Sequence, residues 1–258
     1  MFESCGSGQA TFALDKDQVQ FIIGIDPSEG QINQAKQKAT NNPNGNKFDF
    51  CIGTDDKLVS VVNERIKQNP KLYSNIFSRG NCEGQFDIIT VAQSLHWFNF
   101  ESFFQQVDTL LAPGGIFAGW TYSLNRFGGS CGEAATSTLD KFYREKMWDG
   151  GYWPQQRKHV DDEYKSIQAF VPYPNNFKRI TIDYRKEMPL SFYMSYVQTW
   201  SAIELYGKKN GEQAKSELIK QFSDELKQAF KLKDEEVDTT MLPVVWNIQI
   251  LLTKKPEL

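Results

Sequence analysis

Cysteine and histidine are scarce, with four and two respectively in 258 residues. Cys5, Cys51, Cys82 and Cys131 form no C-x-x-C pair, and no histidine stands at ligand spacing from them. The common zinc patterns are thereby excluded, a disulfide framework is foreign to a chain of this size, and no metal site is expected. A basic excess is also missing, since 29 Lys and Arg face 32 Asp and Glu for a net charge of −3. A protein that grips a nucleic-acid backbone needs a basic footprint, so no nucleic-acid partner is expected. No apolar run approaches the roughly 20 residues that span a bilayer. The opening residues, with Glu3 and Gly6, lack the apolar core of a signal peptide. Repeats and low-complexity tracts are absent. These gaps predict a soluble, reduced, cytoplasmic protein without membrane insertion.

What is present is an ordinary globular composition, 40% hydrophobic and 24% charged, and enough chain for a single large domain. Aromatics reach 14%, which suits a pocket for an organic ligand and an aromatic core equally well. Short apolar runs at 20–25 (QFIIGI), 47–52 (KFDFCI), 86–92 (FDIITVA) and 116–122 (IFAGWTY) read as strands. Helical spacing fills 29–40, 57–68 and 100–111 between them, and a helix starts within 10–16. The runs NNPNGN at 41–46 and PGG at 113–115 act as stops. This alternation predicts an α/β fold, a parallel sheet with helices on both faces and ligands at the C-terminal edge of its strands. Later, 133–147, 191–205 and 212–230 read as helices and 177–184 and 244–253 as strands. They predict an antiparallel edge and a helical lid inserted between the last two strands.

The turn Cys5-Gly6-Ser7-Gly8-Gln9 is followed 18 residues after Gly8 by Asp26, at the end of a predicted strand. Glycines after a strand let backbone approach a ligand, and a carboxylate about 20 residues on can meet a ribose diol. The third glycine of the dinucleotide fingerprint is replaced by Thr11. A plain turn, with Asp26 capping a helix, is the competing reading.

Six segments taken in order resemble a known family. They are CGSGQ at 5–9, GIDPS at 24–28, AQSLHWF at 92–98, LAPGG at 111–115, YWPQQRKHVDDEY at 152–164 and QTWSAIELY at 198–206. Together they resemble class I S-adenosylmethionine-dependent methyltransferases, in particular the subgroup that looks like trans-aconitate methyltransferase. The resemblance implies a Rossmann-like sheet of seven strands and S-adenosylmethionine as cofactor. It places Cys5, Gly6, Ser7 and Gly8 under the methionine portion and Asp26 on the ribose. Thr54 and Asp55 fall near the adenine amino group, and Ala92 and Gln93 line the methionine end. His96 and Trp97 face the transferable methyl and the acceptor as the candidate catalytic pair, His96 either orienting or deprotonating the acceptor or packing a loop under the helix at 100–111, and Trp97 walling the pocket. The implied organisation is one domain over 1–258, with a cofactor-binding core at 1–125 and lid helices and final strands at 126–258.

The family's pattern has an acidic residue three places before the cysteine and a glycine immediately before it. Here Phe2 and Ser4 hold those places and Glu3 is displaced by one, which on a strand turns the side chain to the other face. With so little chain ahead of the turn, the first strand is expected to be truncated, residues 1–8 loosely ordered and cofactor affinity low. The stretch 59–84 is longer than the short link of relatives.

Arg157 can hold a carboxylate through a bidentate pair or sit solvated in its polar link. Trp153 precedes that link and counts with Arg157 as substrate-binding; Trp200 is a pocket wall or core. No Asn/Asp-Pro-Pro-aromatic motif follows the fourth strand, against methylation of amino groups or bases. The reading is methyl transfer to a small-molecule acceptor, a carboxylic acid in the first instance. The alternative is a methyltransferase-like subunit without catalysis, which would have a protein partner.

Overall fold

The computed structural model describes residues 2–77 and 79–257. Its first half alternates β1 (Phe2–Glu3), α1 (Gln9–Ala13), β2 (Ile22–Asp26), α2 (Glu29–Thr40) and β3 (Phe48–Ile52). Then come α3 (Leu58–Gln68), α4 (Pro70–Tyr73), β4 (Phe86–Ala92), α5 (Phe100–Leu110) and β5 (Leu111–Tyr122). The second half holds β6 (Arg126–Phe127), α6 (Gly132–Lys141), α7 (Arg157–Asp161), β7 (Lys178–Met188), α8 (Leu190–Gln198), α9 (Ser201–Asn210), α10 (Glu212–Phe230) and β8 (Leu242–Lys254).

Two compact units result. The first comprises the residues up to Thr121, Tyr164–Ile180 and those from Gln249 on; the second comprises Tyr122–Glu163 and Thr181–Ile248.

In the first unit the strand order is β3-β2-β1-β4-β5-β8, and β1 to β5 pair in parallel. All five residues of β2 are buried, as expected for a parallel strand covered on both faces. Helix α2 starts where the Ser28 hydroxyl accepts the Gln31 N–H, and α5 where Asn99 accepts that of Ser102; both are N-caps of the preferred residue types. Strand β1 is as short as expected, two residues among those described, yet it pairs with Gly24 and Ile25 on one side and Thr90 and Val91 on the other. The Cys5 N–H extends the ladder to the Ile25 carbonyl. Which way the Phe2 and Glu3 side chains face lies outside the described residues. Helix α5 ends at Leu110, ahead of PGG, but β5 begins at Leu111 and takes PGG in, where a start at Ile116 was expected. Leu111 pairs with Phe86 and Ile116 with Ile88, so the intervening residues form an irregularity inside the strand.

The long stretch after β3 becomes α3, α4 and a loop. Leu58, Val62 and Ile66 give α3 one buried stripe. Arg65 on α3 grips Asp49 of β3 through three contacts of 2.7–3.0 Å, and the Tyr73 hydroxyl of α4 donates to the same carboxylate.

In the second unit β6 pairs antiparallel with the start of β8, and β7 also pairs with β8. That brings the strands to eight among the described residues, one above the expected number, because a two-residue ladder leaves no periodicity to read. Strand β8 therefore pairs with β5, β6 and β7 and is not itself the edge strand that was expected. Leu218, Phe222, Leu226 and Phe230 form the buried stripe of α10, and Phe222 stacks on Phe142 at 3.8 Å between centroids. The region 191–205, expected as one helix, is two. Trp200 is extended (φ −67°, ψ 134°) and begins α9.

Candidate cofactor and acceptor sites

Register brings the cofactor candidates to one edge of the first unit's sheet. Glu3 lies beside Ile25 and Val91, Asp26 beside Ile52, and Ala92 beside Trp120. The turn after β1, Asp26, the loop after β3 and Gln93 therefore follow strands that end side by side. This is the C-terminal edge, where ligands bind in such sheets.

Asp26 is 7% exposed. Its Oδ2 accepts the Gly6 N–H at 2.8 Å and its Oδ1 the Ser28 N–H at 2.9 Å. A carboxylate offers about four lone-pair sites, so each oxygen keeps an acceptor position after bracing the turn. The two glycines are needed for different reasons. Gly6 has φ +54° and a Cβ there would meet only Gln31 Oε1, at 3.9 Å, which leaves its backbone open to a ligand. Gly8, at φ +84°, sits where a Cβ would fall 2.6 Å from the Phe12 ring. Opposite them the Lys38 ammonium donates to the Ser7 hydroxyl at 2.8 Å and carbonyl at 3.1 Å.

Thr54 and Asp55 are both engaged. The Thr54 hydroxyl donates to Asp56 Oδ1 at 2.5 Å and holds that carboxyl below its usual range. Asp55 Oδ2 accepts the Asn99 N–H at 3.0 Å, tying the loop after β3 to the start of α5. Beyond Ala92, Gln93 takes a left-handed backbone (φ +57°). Its amide N–H donates to the Trp120 carbonyl and its side-chain oxygen accepts the Thr121 hydroxyl at 2.6 Å. A strained residue fixed from both ends at a strand terminus fits a ligand-lining role.

His96 and Trp97 part company. His96 is 8% exposed, whereas Trp97 is 52% exposed, with the rings 5.0 Å apart. His96 Nδ1 lies 3.1 Å from the hydroxyl of Tyr164, which is fully buried. Tyr164 closes the YWPQQRKHVDDEY segment and was not legible as a site residue, because a pairing across 68 positions has no local signal.

In the second unit the structure does gather Trp153, Arg157 and Trp200. The Arg157 guanidinium lies 4.6 Å over the Trp153 ring, and Trp153 and Trp200 are 5.8 Å apart. Arg157 Nε donates to the Tyr143 hydroxyl at 2.9 Å and to Asp161 Oδ1 at 3.2 Å. Tyr143 in turn donates to Asp161 at 2.6 Å, and burial pushes its phenol well up. The two terminal amino groups of Arg157 have no protein partner among the described residues, although its side chain is only 19% exposed. Tyr143 stands in a π-helical turn, Phe142–Trp148, that continues α6. Such turns recur at functional sites. Sequence periodicity cannot mark one, so Tyr143 and Asp161 also went unread.

Residues 4–117 match the family model described as a methyltransferase domain. The match covers the glycine turn and most of the first unit's parallel sheet and, with the Rossmann-like fold, supports an S-adenosylmethionine-dependent methyltransferase. Over 250 residues the chain is 29% identical to a Dictyostelium discoideum protein that bears a methyltransferase name, covering 97% of this chain and 80% of that one. It is 23% identical over 273 residues to CRG1 of Saccharomyces cerevisiae, a protein that bears an S-adenosylmethionine-dependent methyltransferase name, covering 98% and 84%. Among solved structures, an Anaeromyxobacter dehalogenans protein that bears a type II methyltransferase name shares the fold with a TM-score of 0.69 at 22% identity, over 99% of this chain and 90% of that one. The residues present fit the cofactor: the open backbone at Gly6 and the spare acceptor positions of Asp26 match a ligand with a hydroxyl pair. Among the described residues no helix is long and apolar enough to cross a membrane.

Proposed function

We propose that the protein transfers a methyl group to a carboxylate oxygen of a small-molecule acid, giving a methyl ester. The observation that carries this reading is Arg157. Its guanidinium is stacked on Trp153, braced at Nε by Tyr143 and Asp161, and leaves its terminal donors uncommitted. A planar pair of donors held in a mostly buried aromatic setting matches a carboxylate in geometry and charge. Asp161 balances the guanidinium when no acid is bound, which limits the cost of burying the charge.

S-adenosylmethionine, when bound, supplies a methyl already activated by a sulfonium. Gly6, Ser7, Gly8 and Asp26 would hold it, with Gln93 and Ala92 lining its methionine end and the Thr54–Asp55 loop its adenine. A carboxylate acceptor is ionised at neutral pH and needs no base. The side chains are left to orient the acid and exclude water. His96, fastened at Nδ1 by Tyr164, then acts as a fixed wall beside the exposed Trp97 rather than as a proton acceptor. The resemblance to the trans-aconitate methyltransferase subgroup supports an acid as the substrate.

Radiolabelled cofactor incubated with a panel of carboxylic acids tests this directly. Label released by mild alkali is expected, and label that survives alkali overturns the ester reading. Arg157→Lys is expected to raise the acceptor KM by about tenfold or more, the worth of a charged hydrogen bond, with S-adenosylhomocysteine affinity unchanged.

A further inference from the structure

Local periodicity builds a cavity of about 320 Å³ within the second unit. Tyr184, Lys186 and Met188 alternate along β7, and Trp246 and Ile248 along β8, so each set lies on one face of its strand. Phe192 and Tyr196, four positions apart, share one side of α8 and add two further rings. Met188 and Trp246 are buried, while the Tyr184 and Phe192 rings are half exposed. Size and lining are those of a small-molecule site. None of Trp153, Arg157 and Trp200 lines it, so it is a different place from the Arg157 cluster.

The rings decide the body of a ligand. Tyr184 and Tyr196 lie 6.0 and 5.6 Å from Trp246 between centroids, the second pair edge-on at 90°. Rings set in this way offer faces and edges to one more ring, and the Met188 thioether suits an aromatic neighbour. The polar groups decide its charge. No carboxylate lines the cavity, and its single charged group is Lys186, whose ammonium lies 5.1 Å over the Phe192 ring. Burial raises the Tyr196 phenol above its ordinary value, so that hydroxyl brings no negative charge at neutral pH. The Trp246 N–H is buried and, although it faces the Tyr196 hydroxyl, makes no hydrogen bond of normal geometry. A buried donor without an acceptor is costly, and an anionic oxygen removes that cost while answering the ammonium. An uncharged ligand would leave the ammonium unanswered.

We infer that this cavity is a second binding site, for a flat aromatic ligand with at least one anionic group. Its ring lies among Tyr184, Phe192 and Trp246, and its anion is met by Lys186 and the Trp246 N–H. The inference is independent of ester formation and of acid binding at Arg157.

The test is calorimetric titration of the full chain with 2-naphthoate and with its uncharged counterpart, 2-naphthylmethanol. A cavity that is merely apolar prefers the alcohol, because the carboxylate gives up more hydration on entry. Naphthoate is instead expected to bind about fivefold or more tightly than the alcohol at low ionic strength. Lys186→Met should abolish that preference and leave the alcohol nearly unchanged. Phe192→Ala should weaken both probes by about fivefold, and Arg157→Lys should leave the preference for naphthoate intact. Lys186 and Phe192 are exposed positions, and unchanged far-UV circular dichroism shows that the variants fold. Preference for the alcohol, a preference for naphthoate that survives Lys186→Met, or binding of neither probe overturns the inference. So does a preference for naphthoate that Arg157→Lys removes, which would place the anion at the Arg157 cluster instead.

Discussion

Glu163 and Tyr164 are consecutive residues with left-handed backbones, at φ 62° and 63°. Side-chain-bearing residues pay about 1–3 kcal/mol each for that region, so the surroundings must hold them there. What the arrangement delivers is a buried phenol at His96 Nδ1. Tyr164→Phe removes that oxygen alone and should cost about 1 kcal/mol of stability. The chain has only His96 and His159, so imidazole nitrogen NMR resolves the site. The His96 Nδ1 resonance is expected to move in the variant and that of His159 to stay; an unmoved His96 would show that the contact does not persist in solution. Asp26→Ala strips acceptors from Gly6 and Ser28 and, on the proposed placement of the cofactor, from its ribose, and should weaken S-adenosylhomocysteine by roughly 1.5–3 kcal/mol in calorimetric titration. Unchanged affinity would remove the ribose assignment. Cys82 is buried, and desolvation pushes its thiol up to about 12. The reactive species is the thiolate, so at pH 8 a maleimide should label the half-buried Cys131 well before Cys82. Early labelling of Cys82 in peptide mapping would contradict that environment.

At the scale of elements, α3 and α4 are fastened to β3 by one carboxylate. Asp49 meets Arg65 and Tyr73 together, and Tyr73 stacks on Phe77, which packs on Phe86 of β4. Removing one partner of a buried ion pair costs about 3–5 kcal/mol; since the Arg65 side chain is 27% exposed, Arg65→Ala should cost roughly 2–3 kcal/mol in urea unfolding. A loss below about 0.5 kcal/mol, the size of an ordinary surface substitution, would show the pair to be incidental. The sequence displayed some elements almost to the residue and hid others, for physical reasons. Helix α2, strand β4 and helix α10 are flanked by local signals: Ser28, the bounded run FDIITVA, and Gly211. The break before α9 has no proline or glycine behind it. Trp200 leaves the helix where it packs against Tyr143 and Trp153, and such packing is tertiary information. The site divides in the same way. Gly6, Gly8 and Asp26 were legible because a turn and a strand end are local; Tyr143, Asp161 and Tyr164 were not, because their roles depend on partners far along the chain.

At the scale of the whole molecule, β5, β7 and β8 each contain residues of both units. Melting one unit alone would cut those strands in mid-ladder, so one cooperative transition is expected, with calorimetric and van't Hoff enthalpies in agreement. Two resolved transitions would show that the units are energetically separate. S-adenosylhomocysteine at 100 times its Kd should stabilise the chain by about 2.7 kcal/mol and slow amide exchange over residues 4–9, where Gly6 and Gly8 already donate to Asp26 and Cys5. Exchange there that the ligand leaves unaltered would place the cofactor elsewhere. The division into units also bears on descent. A cavity walled by Tyr184, Phe192 and Trp246 is encoded wholly in Tyr122–Glu163 or Thr181–Ile248, and the glycine turn with its aspartate in the residues up to Thr121. Two stretches of the gene can therefore drift or be exchanged and reshape that cavity while the stretch that carries the glycine turn stays untouched.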